Sequence, residues 1–181
     1  MHHKPLSEPP ILNIQFLEVY RHNCAFVWRS LRRLGVREAD VEDVCQEVFV
    51  VVHRRLADYD GSSSVRTWLF GIAMRMAAGH RRRAHVRRET MGADTIEAAV
   101  APTQHEAVEL QRARARLDDL LDRLDEDQRA VFVLFELEQM PMKEIAAAVG
   151  APLQTVYSRL TAARSRIESA IRRLDARERT A

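Results

Sequence analysis

Residues 142–174 read MKEIAAAVGAPLQTVYSRLTAARSRIESAIRRL, and this stretch decides the fold. Lys143, Glu144, Ile145, Ala146, Ala147, Ala148 and Val149 predict a short helix. Gly150 supplies the left-handed backbone of a tight turn, and Pro152 suits the first turn of the helix that follows. In that second helix Val156, Leu160, Ala163, Ile167, Ala170 and Leu174 recur at helical spacing and form an inward stripe. Gln154, Thr155, Tyr157, Ser158, Arg159, Ala162, Arg164 and Arg166 are left for the exposed faces. Small Ala146 and Ala147 are expected to let the two helices approach closely. The unit is a helix-turn-helix whose polar, basic second helix can present its first turns to a DNA major groove, which is wide enough to admit one helix.

Working toward the N-terminus, Asp125 followed by Gln128 resembles a capping box that opens a helix carrying Val131, Phe132, Leu134, Phe135 and Leu137. Before it, Leu110, Leu117, Leu120, Leu121 and Leu124 mark another helix. From 89 to 104 the pattern lapses, because Gly92, Asp94, Thr95, Ala101, Pro102 and Thr103 build no apolar face. Earlier still, Ser63 or Ser64 can cap a helix with the stripe Trp68, Leu69, Ile72, Ala73 and Met76, ending in His80, Arg81, Arg82, Arg83, His85, Arg87 and Arg88. A helix over about 38–56 turns Val41, Val44, Val48, Phe49, Val52 and Leu56 inward and leaves Asp43, Gln46, Glu47 and Arg54 outside. A first helix carries Phe16, Leu17, Tyr20, Cys24, Val27, Trp28, Leu31 and Leu34, and Gly35 ends it. The expected fold is all-α. Two small helical bundles, over 14–88 and 112–174, are joined by a flexible acidic linker over 89–111, and the second bundle contains the helix-turn-helix.

Composition agrees with this architecture. The 181 residues leave room for one ordinary domain or two small ones at roughly 150 residues per average domain. Six Gly and six Pro, about half the usual share, favour helices. At 46% hydrophobic and 30% charged, the chain can bury a core. No apolar run approaches the ~20 residues of a membrane span, and Met1 to Pro10 lacks the pattern of a signal peptide. The expectation is a cytoplasmic protein without membrane insertion. Cys24 and Cys45 read as buried thiols rather than a disulfide framework.

The net charge of +2 conceals segregation. Residues 14–88 carry 14 basic and 8 acidic groups, 89–111 carry none and 5, 117–141 carry 2 and 8, and 142–181 carry 8 and 4. Two basic blocks around an acidic one point to two surfaces for a polyanion, nucleic acid first among them. No catalytic constellation competes: there is no phosphate-binding glycine loop, and His105 with Glu106 lacks the second histidine of a zinc-protease helix. His80 and His85 stand beside an arginine cluster that repels a cation. Neither a metal nor a cofactor is expected, and the protein is not expected to be an enzyme.

Taken together, the two halves resemble the extracytoplasmic-function sigma factors of bacterial RNA polymerase. In the first half the resemblance lies in Glu42, Asp43, Val44, Cys45, Gln46, Glu47, Val48 and Phe49, then in Thr67, Trp68, Leu69, Ile72 and Ala73, ending at Arg81 to Arg83. In the second it lies in Glu144, Ile145, Ala146 and Gly150, then Thr155, Val156, Ser158, Arg159, Leu160, Ala163 and Arg164. The resemblance implies that Asp43, Gln46, Glu47 and Arg54 bind core polymerase, with the clamp helices and flap of its large subunit as the docking elements.

It also implies minus-ten promoter recognition and melting by Tyr59, Asp60, Gly61, Ser62, Ser63 and Ser64 with Arg66, Trp68, Arg75, His80, Arg81, Arg82 and Arg83. A Gly- and Ser-rich loop can wrap an unstacked base while arginines hold phosphates. Trp68 sits on the apolar stripe and, taken alone, reads as core rather than as a stacking platform. Gln154, Thr155, Tyr157, Ser158, Arg159, Ala162 and Arg164 would read the minus-thirty-five element. The family often has Gly where Gln154 stands, basic residues near Tyr157 and Ala162, and Asn where Arg75 stands, so base choice is this chain's own. An anti-sigma protein is an implied partner, and the acidic linker would thread near the RNA path. The competing reading is a dimeric helix-turn-helix regulator that binds duplex DNA without polymerase.

Overall fold

In the computed structural model residues 10–91 and 105–179 are described, and among them every regular element is helical. Seven α-helices follow in order: α1 Pro10–Arg33, α2 Glu38–Arg55, α3 Val65–Met91, α4 His105–Leu121, α5 Glu126–Phe132, α6 Met142–Val149 and α7 Leu153–Glu178. A 3-10 turn, Leu56–Asp58, closes α2, and a π-helical stretch, Val133–Leu137, extends α5. No helix among the described residues is long and apolar enough to cross a membrane.

Local chemistry sets the element ends. Gly35, at φ 87°, lets the chain leave α1 through Gly35 N–H to Arg32 O (2.9 Å) and Val36 N–H to Leu31 O (3.1 Å). Ser64 Oγ accepts from Thr67 N–H at 3.2 Å and caps α3, and Asp125 Oδ1 accepts from Gln128 N–H at 2.8 Å and caps α5. Gly150 ends α6 at φ 64°, ψ 36°. Of the stretch expected as linker, 89–91 continue α3 and 105–111 open α4; the remainder, with the pattern break at Gly92 to Thr103, lies outside the described residues.

The first bundle packs α1, α2 and α3 around Val27, Leu31, Val41, Val44, Val48, Val52, Leu69 and Ile72, all buried. The second packs α5 and α6 on α7 through Val131, Leu134, Ile145, Val156, Leu160 and Ala163. Both cores join in one apolar cluster, because α6 lies on α3.

Several side chains depart from the expected pattern. Leu17 and Tyr20 are 46% and 41% exposed, on a part of α1 that meets α2 through Tyr20 and Phe16, whose rings lie 4.8 and 6.5 Å from Phe49 between centroids. Ala147 faces solvent, and Ala148 is the buried small residue of α6. Phe70, off the expected stripe of α3, is fully buried. That helix buries two faces, one on its own bundle and one beneath α6.

Candidate polymerase and promoter interfaces

On α2 the inward positions Val44, Val48 and Val52 force the intervening side chains outward, so Asp43, Gln46, Glu47 and Arg54 are all exposed. Asp43, Gln46 and Glu47 rim a shallow depression floored by Val50, Val51 and Met76. Val50 is 49% exposed, an apolar centre within a polar rim that charge reasoning missed, although the helical spacing carries it. Glu47 also lies 3.8 Å from Arg83 on α3, an exposed and therefore weak pair.

The loop between the 3-10 turn and α3 is held by its own side chains. Asp60 Oδ1 accepts from Ser62 N–H at 2.9 Å, and the hydrogen bonds from Ser62 hold the Asp60 carboxyl below its ordinary range. The Tyr59 hydroxyl donates to Ser63 O, and its ring lies 5.2 Å from Trp68, which is half-buried. Gly61, at φ 72°, has open space where a side chain would project. Arg66 is exposed above the Phe26 ring, and Arg75 and Arg82 are exposed.

Three expected DNA contacts are engaged inside the protein. His80 Nε2 lies 3.1 Å from Asp40 Oδ2. Burial raises the Asp40 carboxyl, but hydrogen bonds from Arg37 and His80 outweigh it and leave the group below its ordinary value. Arg81 donates to Leu34 O at 2.6 Å and pairs with Glu126 of α5 at 2.8 Å. Ser64 Oγ donates to Glu144 Oε2 of α6 at 2.7 Å, and Thr67 Oγ1 donates to the same oxygen at 2.6 Å. These two hydroxyls hold the Glu144 carboxyl below its ordinary range.

In α7 the buried stripe from Val156 to Ala163 turns Gln154, Tyr157 and Ser158 to solvent, and Leu153 and Thr161 join the same exposed surface. Thr155 and Ala162 are half-buried beside it. Arg159 pairs with Asp127, and Arg164 pairs with Glu136 at 2.6 Å while lying over the Phe135 ring. The outward face is therefore polar and aromatic at its centre, with arginines tied to the α5 side.

Sequence reasoning missed the seam between the bundles. Arg129 is 5% exposed, donates to Arg33 O and to Asp122 Oδ1, and its side chain fills the space against Gly35. Arg33 pairs with Glu138, and Arg32 with Asp118 at 3.0 Å. These partners stand about a hundred residues apart, where no spacing rule reaches. Cys45 is buried beside Cys24, and burial with that neighbour pushes its thiol up to about 12. Among the described residues no group of His, Cys, Asp and Glu is arranged to hold a metal.

Comparison with known proteins adds to this geometry. Residues 19–87 match the family model "Sigma-70 region 2", and residues 114–167 match "Sigma-70, region 4". The chain is 32% identical over 153 residues to RNA polymerase sigma factor NccH of Alcaligenes xylosoxydans xylosoxydans, covering 82% of each. It is 30% identical over 164 residues to the ECF RNA polymerase sigma-E factor of Escherichia coli strain K12, covering 86% of this chain and 84% of that one. Its fold is similar to CnrH in complex with the cytosolic domain of CnrY, with TM-score 0.66, 26% identity and coverage of 92% and 96%. It also superposes on the sigma factor RpoE in complex with the anti-sigma factor NepR from Bartonella quintana, with TM-score 0.70, 21% identity and coverage of 87% and 97%.

Proposed function

Because this chain belongs to the extracytoplasmic-function sigma factors of bacterial RNA polymerase and is thus a promoter-specific transcription initiation factor rather than an enzyme, we propose a division of labour along it. The segment 14–88 docks on core polymerase and engages the minus-ten element, 112–174 reads the minus-thirty-five element, and 89–111 connects them.

Docking on the polymerase falls to the outer face of α2. Carboxylates at Asp43 and Glu47 suit arginine-rich clamp helices through charge-assisted hydrogen bonds, and Val50 with Met76 gives the contact an apolar centre. Minus-ten recognition falls to the loop 59–64, whose Gly61 is unencumbered, with Arg66, Arg75 and Arg82 holding phosphates. Such contacts give salt-dependent affinity with little sequence information. Minus-thirty-five readout falls to Gln154, Tyr157 and Ser158. A Gln side chain is matched to the paired donor and acceptor of adenine in the major groove.

The observation that carries this reading is the solvent-facing row Gln154, Tyr157 and Ser158 behind the Gly150 turn, in a chain whose other half matches sigma region 2. The solved complex of the relative CnrH with the cytosolic domain of CnrY supports a protein partner of the anti-sigma kind, and the reading as a transcription factor implies work in the cytoplasm. The test is run-off transcription with purified core polymerase on a promoter pool, with and without the protein. New discrete start sites are expected only when both are present. Duplex binding by the protein alone, without transcripts, would establish an independent regulator instead.

A further inference from the structure

We propose that the outward face of α7 selects thymine by its C5 methyl group, and that Leu153, Tyr157 and Thr161 are the residues that select it. The inference rests on the reading of the first turns of α7 as the minus-thirty-five surface, and it names the bases that surface takes.

An apolar line runs along that face. Leu153 and Tyr157 are 38% and 48% exposed, although Val156, Leu160 and Ala163 already supply the buried side of the helix. Residues four apart are neighbours on a helix surface, so Leu153, Tyr157 and Thr161 stand in one row, and all three are exposed. Thr161 belongs to the row through its methyl. Its hydroxyl donates to the Tyr157 carbonyl at 3.0 Å, so the proton is spent on the backbone of α7 itself. Ser158, beside the row, likewise donates to the Gln154 carbonyl at 3.1 Å.

Cations are drawn away from the same face. In the major groove guanine is read by a guanidinium or ammonium group, adenine by Asn or Gln, and thymine by an apolar side chain against its methyl. Over 153–164 the only cationic side chains are Arg159 and Arg164. Arg159 pairs with Asp127, and Arg164 donates to Glu136 Oε1 at 2.7 Å with its guanidinium over the Phe135 ring. Both are held on the α5 side. The outward face is left with one long amide, Gln154, next to the apolar row, a set of groups suited to adenine and thymine rather than guanine.

The dimensions agree with a short run of bases. Leu153 and Thr161 are separated by about 12 Å along the axis at 1.5 Å per residue. At 3.4 Å per base pair this spans roughly three to four steps of B-form DNA.

The test uses deoxyuridine, which lacks the C5 methyl of thymine and keeps its hydrogen-bonding edges. Holoenzyme assembled from purified core polymerase and the full-length protein is titrated with a promoter identified by run-off transcription. Each thymine of its minus-thirty-five element, on either strand, is replaced singly by deoxyuridine. Loss of a buried methyl is expected to weaken binding about 2–5-fold at the positions that the row faces. Leu153→Ala and Tyr157→Ala should each bring the thymine-to-deoxyuridine ratio to unity at its own position. Helicity should be unchanged, because both side chains are exposed. An element without thymine, or equal binding of thymine and deoxyuridine at every position, would overturn the methyl reading while polymerase-dependent transcription, and with it the sigma-factor function, stood. A ratio unaltered by either substitution would assign the methyls to other side chains and overturn it too. Absence of polymerase-dependent transcripts would instead overturn the reading of α7 on which the inference rests.

Discussion

Arg129, near the end of α5, donates its Nε–H to the main-chain oxygen of Arg33, the last residue of α1 and 96 positions earlier in the chain. The same guanidinium pairs with Asp122 at 2.8 Å, and its burial lowers its pKa against the opposing pull of Asp122. One side chain thereby joins the exit of the first bundle to the second.

Replacement of Arg129 by Leu keeps the apolar volume but strands the Arg33 carbonyl. Hydrogen bonds from a charged donor contribute about 1.5–3 kcal/mol. For a chain of this size that is a loss of roughly 3–12 °C in Tm, at about 2–4 °C per kcal/mol. Thermal unfolding followed by circular dichroism checks it, and an unchanged Tm would deny Arg129 its joining role.

Charge reversal on α2 tests the polymerase dock. Asp43→Arg with Glu47→Arg should abolish co-elution with core polymerase in gel filtration. Helicity should not change, because both side chains are exposed and the Glu47–Arg83 contact is a weak surface pair. Retained co-elution would move the dock to another face.

Gln154→Ala should relax base preference at a single position of the minus-thirty-five element while leaving transcription from other sequence changes unaffected. A bidentate base contact is worth about 1–3 kcal/mol of discrimination, or roughly 5–150-fold. A base-by-base promoter scan reads this directly, and a uniform loss across all positions would assign Gln154 to the backbone instead.

Acid should weaken the Glu144 contact in a defined direction. Its carboxyl is held below the ordinary value of 4.5 by Ser64 and Thr67. A carboxyl depressed in the folded state contributes stability that is present above its unfolded value and is lost as pH falls through its folded one. The stability difference between wild type and Glu144→Gln should therefore be constant near neutrality and shrink only below pH 4.5. Chemical denaturation across that range measures it, and a difference independent of pH would mean the charge takes no part.

Much of this protein was settled by local chemistry written in the sequence. The spacing of Val41, Val44, Val48 and Val52 fixes which face of α2 is solvent-exposed, and the stripe from Val156 to Ala170 does the same for α7. Ser64, Asp125, Gly35 and Gly150 mark element ends because capping and left-handed turns depend on a residue and its next three or four neighbours.

Tertiary structure alone decided how the bundles meet. Phe70 and Gly71 lie off the one-sided stripe that periodicity finds, yet both are buried, Gly71 against the Ala148 carbonyl of α6, because α3 is covered on more than one face. His80, Arg81, Arg159 and Arg164 read as side chains free for DNA, yet each faces a carboxylate supplied by another element. The reason is range. Helical spacing encodes neighbours three or four residues apart, whereas the pairing of Ser64 with Glu144 depends on where two folded bundles come to rest.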